Sequence, residues 1–146
     1  MTSLVVRQRG FSLVEILVVL VIMGLLIAVV APNVINTADQ AMYKKARADF
    51  KQIETALKIY RLDNYVYPTT EQGLEALVEP SSLEPEPRNF KEGGYLSEVP
   101  LDPWQRPYIY VYPGENGEFD IYSLGADGLS GGEDQNADVG NWREED

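Results

Sequence analysis

The sequence predicts an α+β fold in which a long N-terminal helix packs on a small antiparallel β-sheet domain. Three observations predict it. Residues 11–31 form an almost unbroken apolar run, and an apolar stripe at helical spacing follows from Met42 to Tyr60. Two aromatic-rich β segments then lie in the C-terminal half, separated by a turn. A chain of 146 residues has room for one modest domain plus one membrane segment.

Between Phe11 and Ala31 only Ser12 and Glu15 are clearly polar. As a helix this stretch spans ~31 Å, enough to cross the hydrocarbon core of a bilayer. Arg7 and Arg9 precede it and mark the cytoplasmic side. Glu15 is the anomaly, because an unpaired carboxylate in hydrocarbon is costly and demands a partner. A secretory signal peptide fits poorly: its apolar core is ~7–15 residues, and the nearest cleavage site, Val29-Val30-Ala31, runs into Pro32. A plain transmembrane anchor explains the length and the arginines but not Glu15. Cleavage after Gly10, exposing Phe11 as a new N-terminus, accounts for all three residues. Glu15 then pairs with the terminal amine of a neighbouring subunit once helices bundle.

Pro32 lacks the helical donor and crowds the preceding turn, so a kink or local break is expected there. Helical character resumes after it. Met42, Ala46, Phe50, Ile53, Leu57 and Tyr60 are spaced 4, 4, 3, 4 and 3 apart, which puts them on one face. Lys44, Lys45, Arg47, Lys51 and Lys58 mostly occupy the others. One helix from Phe11 to about Leu62, ~75–80 Å long, is therefore expected, ended by Asp63-Asn64.

Beyond it, Thr69 and Gln72 have the spacing of a capping box before a short helix that buries Leu74, Leu77 and Val78. Residues 79–94, rich in Pro, Ser, Glu and Gly, read as a surface loop. Residues 108–112 and 119–123 read as strands joined by the turn-rich segment 113–118. Their alternating tyrosines suit packing more than ligand binding.

The composition excludes much. With no cysteine and no histidine there is no disulfide framework, no usual zinc site and no Ser-His or Cys-His catalytic pair. The net charge is −11, and without the first ten residues 10 basic residues face 23 acidic ones, or −13. This argues against nucleic acid as a partner and suits a solvated exterior or hard cations. Nothing resembles a phosphate-binding loop. A hydrolase built on paired carboxylates is the enzymatic alternative, disfavoured by the absence of a nucleophile elbow and by the small body.

From Leu124 to Trp142 a glycine-rich stretch carries Asp127, Glu133, Asp134 and Asp138. Calcium takes about six to eight oxygens from carboxylates and carbonyls, which such a loop offers. Spacing alone favours a solvated acidic turn over a metal, because there is no D-x-D-x-D-G ladder. Both readings stay open.

The segment Gly10-Phe11-Ser12-Leu13-Val14-Glu15 and the apolar run after it resemble the type IV pilin and pseudopilin superfamily. The resemblance implies cleavage between Gly10 and Phe11 by a prepilin peptidase, N-methylation of Phe11, and an assembly role for Glu15. Segments 67–74, 102–104, 122–128 and 137–142 are similar, in that order, to the major pseudopilins of bacterial type II secretion, over essentially the whole chain. That narrower resemblance implies a type IV pilin-like fold, with a leader at 1–10, a transmembrane and assembly helix at 11–31 and a periplasmic domain at 32–146. It implies a non-enzymatic subunit, single-pass in the inner membrane of a Gram-negative bacterium with its C-terminal domain in the periplasm. Such a subunit polymerises with copies of itself to drive folded proteins across the outer membrane. The implied partners are the peptidase, minor pseudopilins, the inner-membrane secretion platform and, before assembly, membrane lipid.

The resemblance also implies Ca²⁺ in the acidic loop. Asp127 and Asp138 are the side-chain ligands and Leu124, Leu129 and Gln135 give carbonyls, with Glu133 or Asp134 able to replace the last. A metal clip suits a chain without the cysteines that staple many related pilins. One departure stands out: the family often has Gly after the Trp of Asp-Pro-Trp, where this chain has Gln105-Arg106. The alternative output for the same assembly is a type IV pilin for adhesion, motility or DNA uptake. The acidic body and the 122–142 signature disfavour it.

Overall fold

The computed structural model describes residues 10–142, and side chains there except at 28–38 and 135. The expected leader, residues 1–10, therefore lies outside the described residues apart from Gly10. The order of elements is helix α1 (Leu13–Asn64), a 3-10 helix (Leu74–Leu77), strands β1 (Ile109–Val111) and β2 (Asp120–Ser123), a 3-10 turn (Asp134–Asn136) and strand β3 (Val139–Gly140). The chain divides into two compact units, Met1–Ala38 and Asp39–Asp146.

In the first unit α1 begins at Leu13, and Phe11, Leu13 and the apolar side chains through Ile27 are exposed. Among the described residues no helix is long and apolar enough to cross a membrane. The span expected over 11–31 runs on into residues 28–31, whose side chains lie outside the described residues. The helix continues without interruption through Pro32, so the local break expected there is absent. A proline forfeits one backbone donor, and the regular turns on either side hold the helix across it.

In the second unit the remainder of α1 lays its apolar stripe on the core. Ala46, Phe50, Ile53, Leu57 and Tyr60 are buried as their spacing predicts, whereas Met42 is exposed. The sheet is antiparallel in the order β1-β2-β3, with Tyr110 opposite Ile121 and Ser123 opposite Val139. Tyr110, Ile121 and Val139 join the α1 stripe together with Tyr67, Leu74 and Leu77. Both predicted strands are present but shorter than 108–112 and 119–123. The two-residue β3 was not expected at all.

Polar side chains fix the connections. The α1 C-terminus is sealed by buried Asn64, whose amide donates to the Tyr60 carbonyl (3.0 Å) and Tyr95 Oη (3.0 Å) while its Oδ1 accepts the Asn89 N–H (2.9 Å). Tyr65 then adopts φ 69° and donates its N–H to the Arg61 carbonyl, a left-handed helix stop. The Thr69–Gln72 box forms reciprocally, Gln72 Oε1 accepting the Thr69 N–H (2.9 Å) and Thr69 Oγ1 the Gln72 N–H (3.2 Å). It closes the turn before the 3-10 helix, however, whose own N-cap is Gly73 without a side-chain cap bond. Gln72 Nε2 also donates to the Leu83 and Pro85 carbonyls, pinning the 79–94 loop. In the β1–β2 turn the buried Asp120 carboxylate accepts the N–H groups of Glu115 and Asn116.

Candidate functional site

Two regions carry the residues singled out in the sequence. At the start of α1, Ser12 is the N-cap: its Oγ accepts the Val14 N–H at 3.3 Å. Glu15, three residues on, accepts the Ser12 N–H on Oε2 at 3.3 Å. Ser-Leu-Val-Glu is thus a capping box, a signal present in the sequence but overlooked beside the membrane pattern. The carboxylate also sits in the first helical turn, where the helix dipole favours negative charge. Both hydrogen bonds are long and exposed, so they satisfy helix-end donors without neutralising the acid. Phe11 is 82% exposed beside them.

The second region follows β2. Its first leg, 124–128, is held against its return leg, 136–138. Gly125 is buried with φ 64°, and a Cβ there would meet the Ala137 carbonyl oxygen at 2.7 Å. Asp127 Oδ1 accepts the Leu129 N–H (3.0 Å). Asp138 Oδ2 accepts the Gly131 N–H (2.9 Å), and the Asp138 N–H returns to the Gly131 carbonyl (3.2 Å). Gln135 lies in the 3-10 turn Asp134–Asn136, and the Tyr43 hydroxyl donates to the Asp134 carbonyl. Leu124 directly follows β2, and Leu129 lies beyond the left-handed Gly128.

The side chains of Asp127 and Asp138 and the backbone carbonyls of this loop are oxygen ligands. That donor set fits a hard cation. Among the described residues no three acidic side chains converge as a metal cluster, so such an ion would depend on the carbonyls as much as on Asp127 and Asp138. Glu133 and Asp134 are both exposed.

Sequence reasoning gave Arg106 no role beyond a departure from the family pattern. Gln105 takes the left-handed conformation, φ 66°, which favours glycine. Arg106 Nη2 donates to the Gly125 carbonyl, and its guanidinium fills the space beside Gly128.

Comparison with known proteins adds the decisive observation. The family model described as "Type II secretion system (T2SS), protein G" matches residues 33–142, and the prokaryotic N-terminal methylation motif matches residues 6–31. The chain belongs to the type II secretion system protein G family. It is 53% identical to the type II secretion system core protein G of Pseudomonas aeruginosa, over 93% of this chain and 96% of that one. It is 50% identical to the Vibrio cholerae protein of the same name, over 96% and 95%. The crystal structure of the major pseudopilin from the type 2 secretion system of enterohaemorrhagic Escherichia coli matches with a TM-score of 0.69 at 44% identity, covering 76% of this chain and 95% of that one. This protein G family member is a structural pseudopilus subunit of type II secretion with a type IV pilin-like fold. Its methylation motif marks a membrane-anchored protein of the cell envelope.

Proposed function

We propose that the chain is cut between Gly10 and Phe11 by a prepilin peptidase, methylated on Phe11, and polymerised through its N-terminal helix into a filament whose growth pushes folded proteins across the outer membrane. The observation that carries this reading is a lone acid, Glu15, at the head of an exposed apolar helix directly after that junction. Lipid tails are as apolar as Val and Leu, so moving such helices from bilayer to filament gains little from the hydrophobic effect. Register needs a directional contact. Glu15 against a neighbour's Phe11 amine supplies one, strengthened by the low dielectric of a helix bundle.

Before assembly the helix sits once across the inner membrane with the C-terminal domain in the periplasm. Minor pseudopilins and the inner-membrane platform are the partners of growth. The subunit is structural material with no catalytic role of its own.

Ca²⁺ belongs to the same proposal. Asp127 and Asp138 would hold it with the carbonyls of Leu124, Leu129 and Gln135. When bound, it cross-links the two legs and offsets the repulsion among their carboxylates. The two carboxylates and the packed legs support this reading.

Mass spectrometry of the mature N-terminus tests the reading. A chain beginning at methylated Phe11 is expected; an intact Met1, or a cut near Ala31, contradicts it.

A further inference from the structure

Arg106 lies in a turn built on one buried acid. Asp102, 1% exposed, accepts the N–H groups of Trp104 (2.9 Å) and Arg106 (2.7 Å) on Oδ1. Its Oδ2 accepts the Ser123 hydroxyl at 2.6 Å and faces Arg106 Nε at 3.7 Å. Ser123 ends β2, immediately before the acidic loop. From the same guanidinium, Nη2 donates to the Gly125 carbonyl, and Nη1 fills the space a Cβ on Gly128 would need. One side chain therefore joins a buried carboxylate to the backbone of the loop's first leg.

We propose that Arg106 is a built-in cation of the C-terminal loop: it positions residues 124–128 without metal and supplies part of the positive charge that a bound cation otherwise provides. The second half rests on the calcium reading above. A charge-assisted bond to a carbonyl is roughly twice as strong as a neutral one, and Asp102 holds the Arg106 backbone N–H (2.7 Å) and lies within ion-pair distance of Nε. Two effects then act in the same direction. The loop is already held, so metal adds less; and a fixed positive charge beside the loop repels a divalent ion. Arg106 makes folding less dependent on calcium.

The test uses the full chain in detergent micelles, as wild type, Arg106→Asn and Arg106→Lys, each in excess chelator and in saturating calcium chloride. In chelator, Arg106→Asn is expected to melt several degrees lower and to exchange the amides of 124–129 on the order of tenfold faster. Lys, which keeps the charge but loses the fork, falls between. Calcium is expected to close most of the gap in melting temperature and to bind Arg106→Asn more tightly than wild type. Wild-type exchange rates in chelator, a melting deficit of equal size with and without calcium, or weaker calcium binding by Arg106→Asn overturns the proposal. If the wild type itself ignores calcium, the calcium reading and the charge-sharing half fall together. The chelator comparison then decides by itself whether Arg106 holds the first leg.

Discussion

The Glu15 carboxylate accepts the backbone N–H of Ser12 at 3.3 Å, so the acid at the head of the assembly helix also closes that helix's first turn. The side chain is a local cap, and under the proposed function it is also the charge offered to a neighbour. The two roles are separable. Ser12→Ala removes the hydroxyl cap at ~0.5–2 kcal/mol of local helix stability but leaves the acid. The variant is expected to fray at Leu13–Glu15 by hydrogen exchange and still to enter filaments at the wild-type level. Loss of filaments on this change would assign the work to the cap.

Gln105 occupies φ 66°, a conformation that costs a residue with a Cβ ~1–2 kcal/mol. Gln105→Gly relieves it, less the entropy that glycine gains in the unfolded chain. A rise of a few degrees in melting temperature is expected, and a fall would show that the Gln105 side chain contributes more than its backbone costs.

For the acidic loop, excess chelator is expected to lower the melting temperature and to impair filament assembly. Asp127→Asn and Asp138→Asn should each remove most of the calcium response while leaving the α1 stripe and sheet folded. Calorimetric titration with calcium reads both outcomes. A wild-type chain equally stable in chelator and calcium argues for a solvated turn.

Burial raises the phenol pKa values of Tyr108 and Tyr110; for Tyr108 the Asp49 carboxylate, which accepts its hydroxyl at 2.7 Å, raises it further. The sign follows from linkage. Above about pH 10 the unfolded chain sheds these protons and the folded one keeps them, so stability present below pH 10 declines as pH rises. Chemical denaturation across this range should show the midpoint falling, less steeply in Tyr108→Phe. A midpoint insensitive to alkali would mean these phenols ionise freely in the fold.

What the sequence made legible was local. The α1 stripe, the Thr69–Gln72 pair and the β1–β2 hairpin follow from periodicity and turn chemistry within a few residues. The rest depends on partners distant in sequence. Val139–Gly140 is too short to show a period and is a strand only because it pairs with Tyr122 and Ser123. Asp102, in an Asp-Pro-Trp segment with no local sign of burial, is buried and accepts the Ser123 hydroxyl from across the fold. The 79–94 loop is fixed by Gln72 and Asn64. Arg106 meets the Gly125 carbonyl, 19 residues on, only through the fold. At Pro32 the helix runs on without the break expected there.

Glu15→Gln isolates the claim on which assembly depends. Glutamine still serves as the third residue of a capping box, so helix α1 keeps its start, while the charge that would meet a neighbour's Phe11 amine is gone. Counting filaments formed in cells by this variant, alongside the melting temperature of the same protein, tests the charge alone. The account predicts wild-type melting with filaments lost; wild-type melting with filaments at the normal level contradicts it.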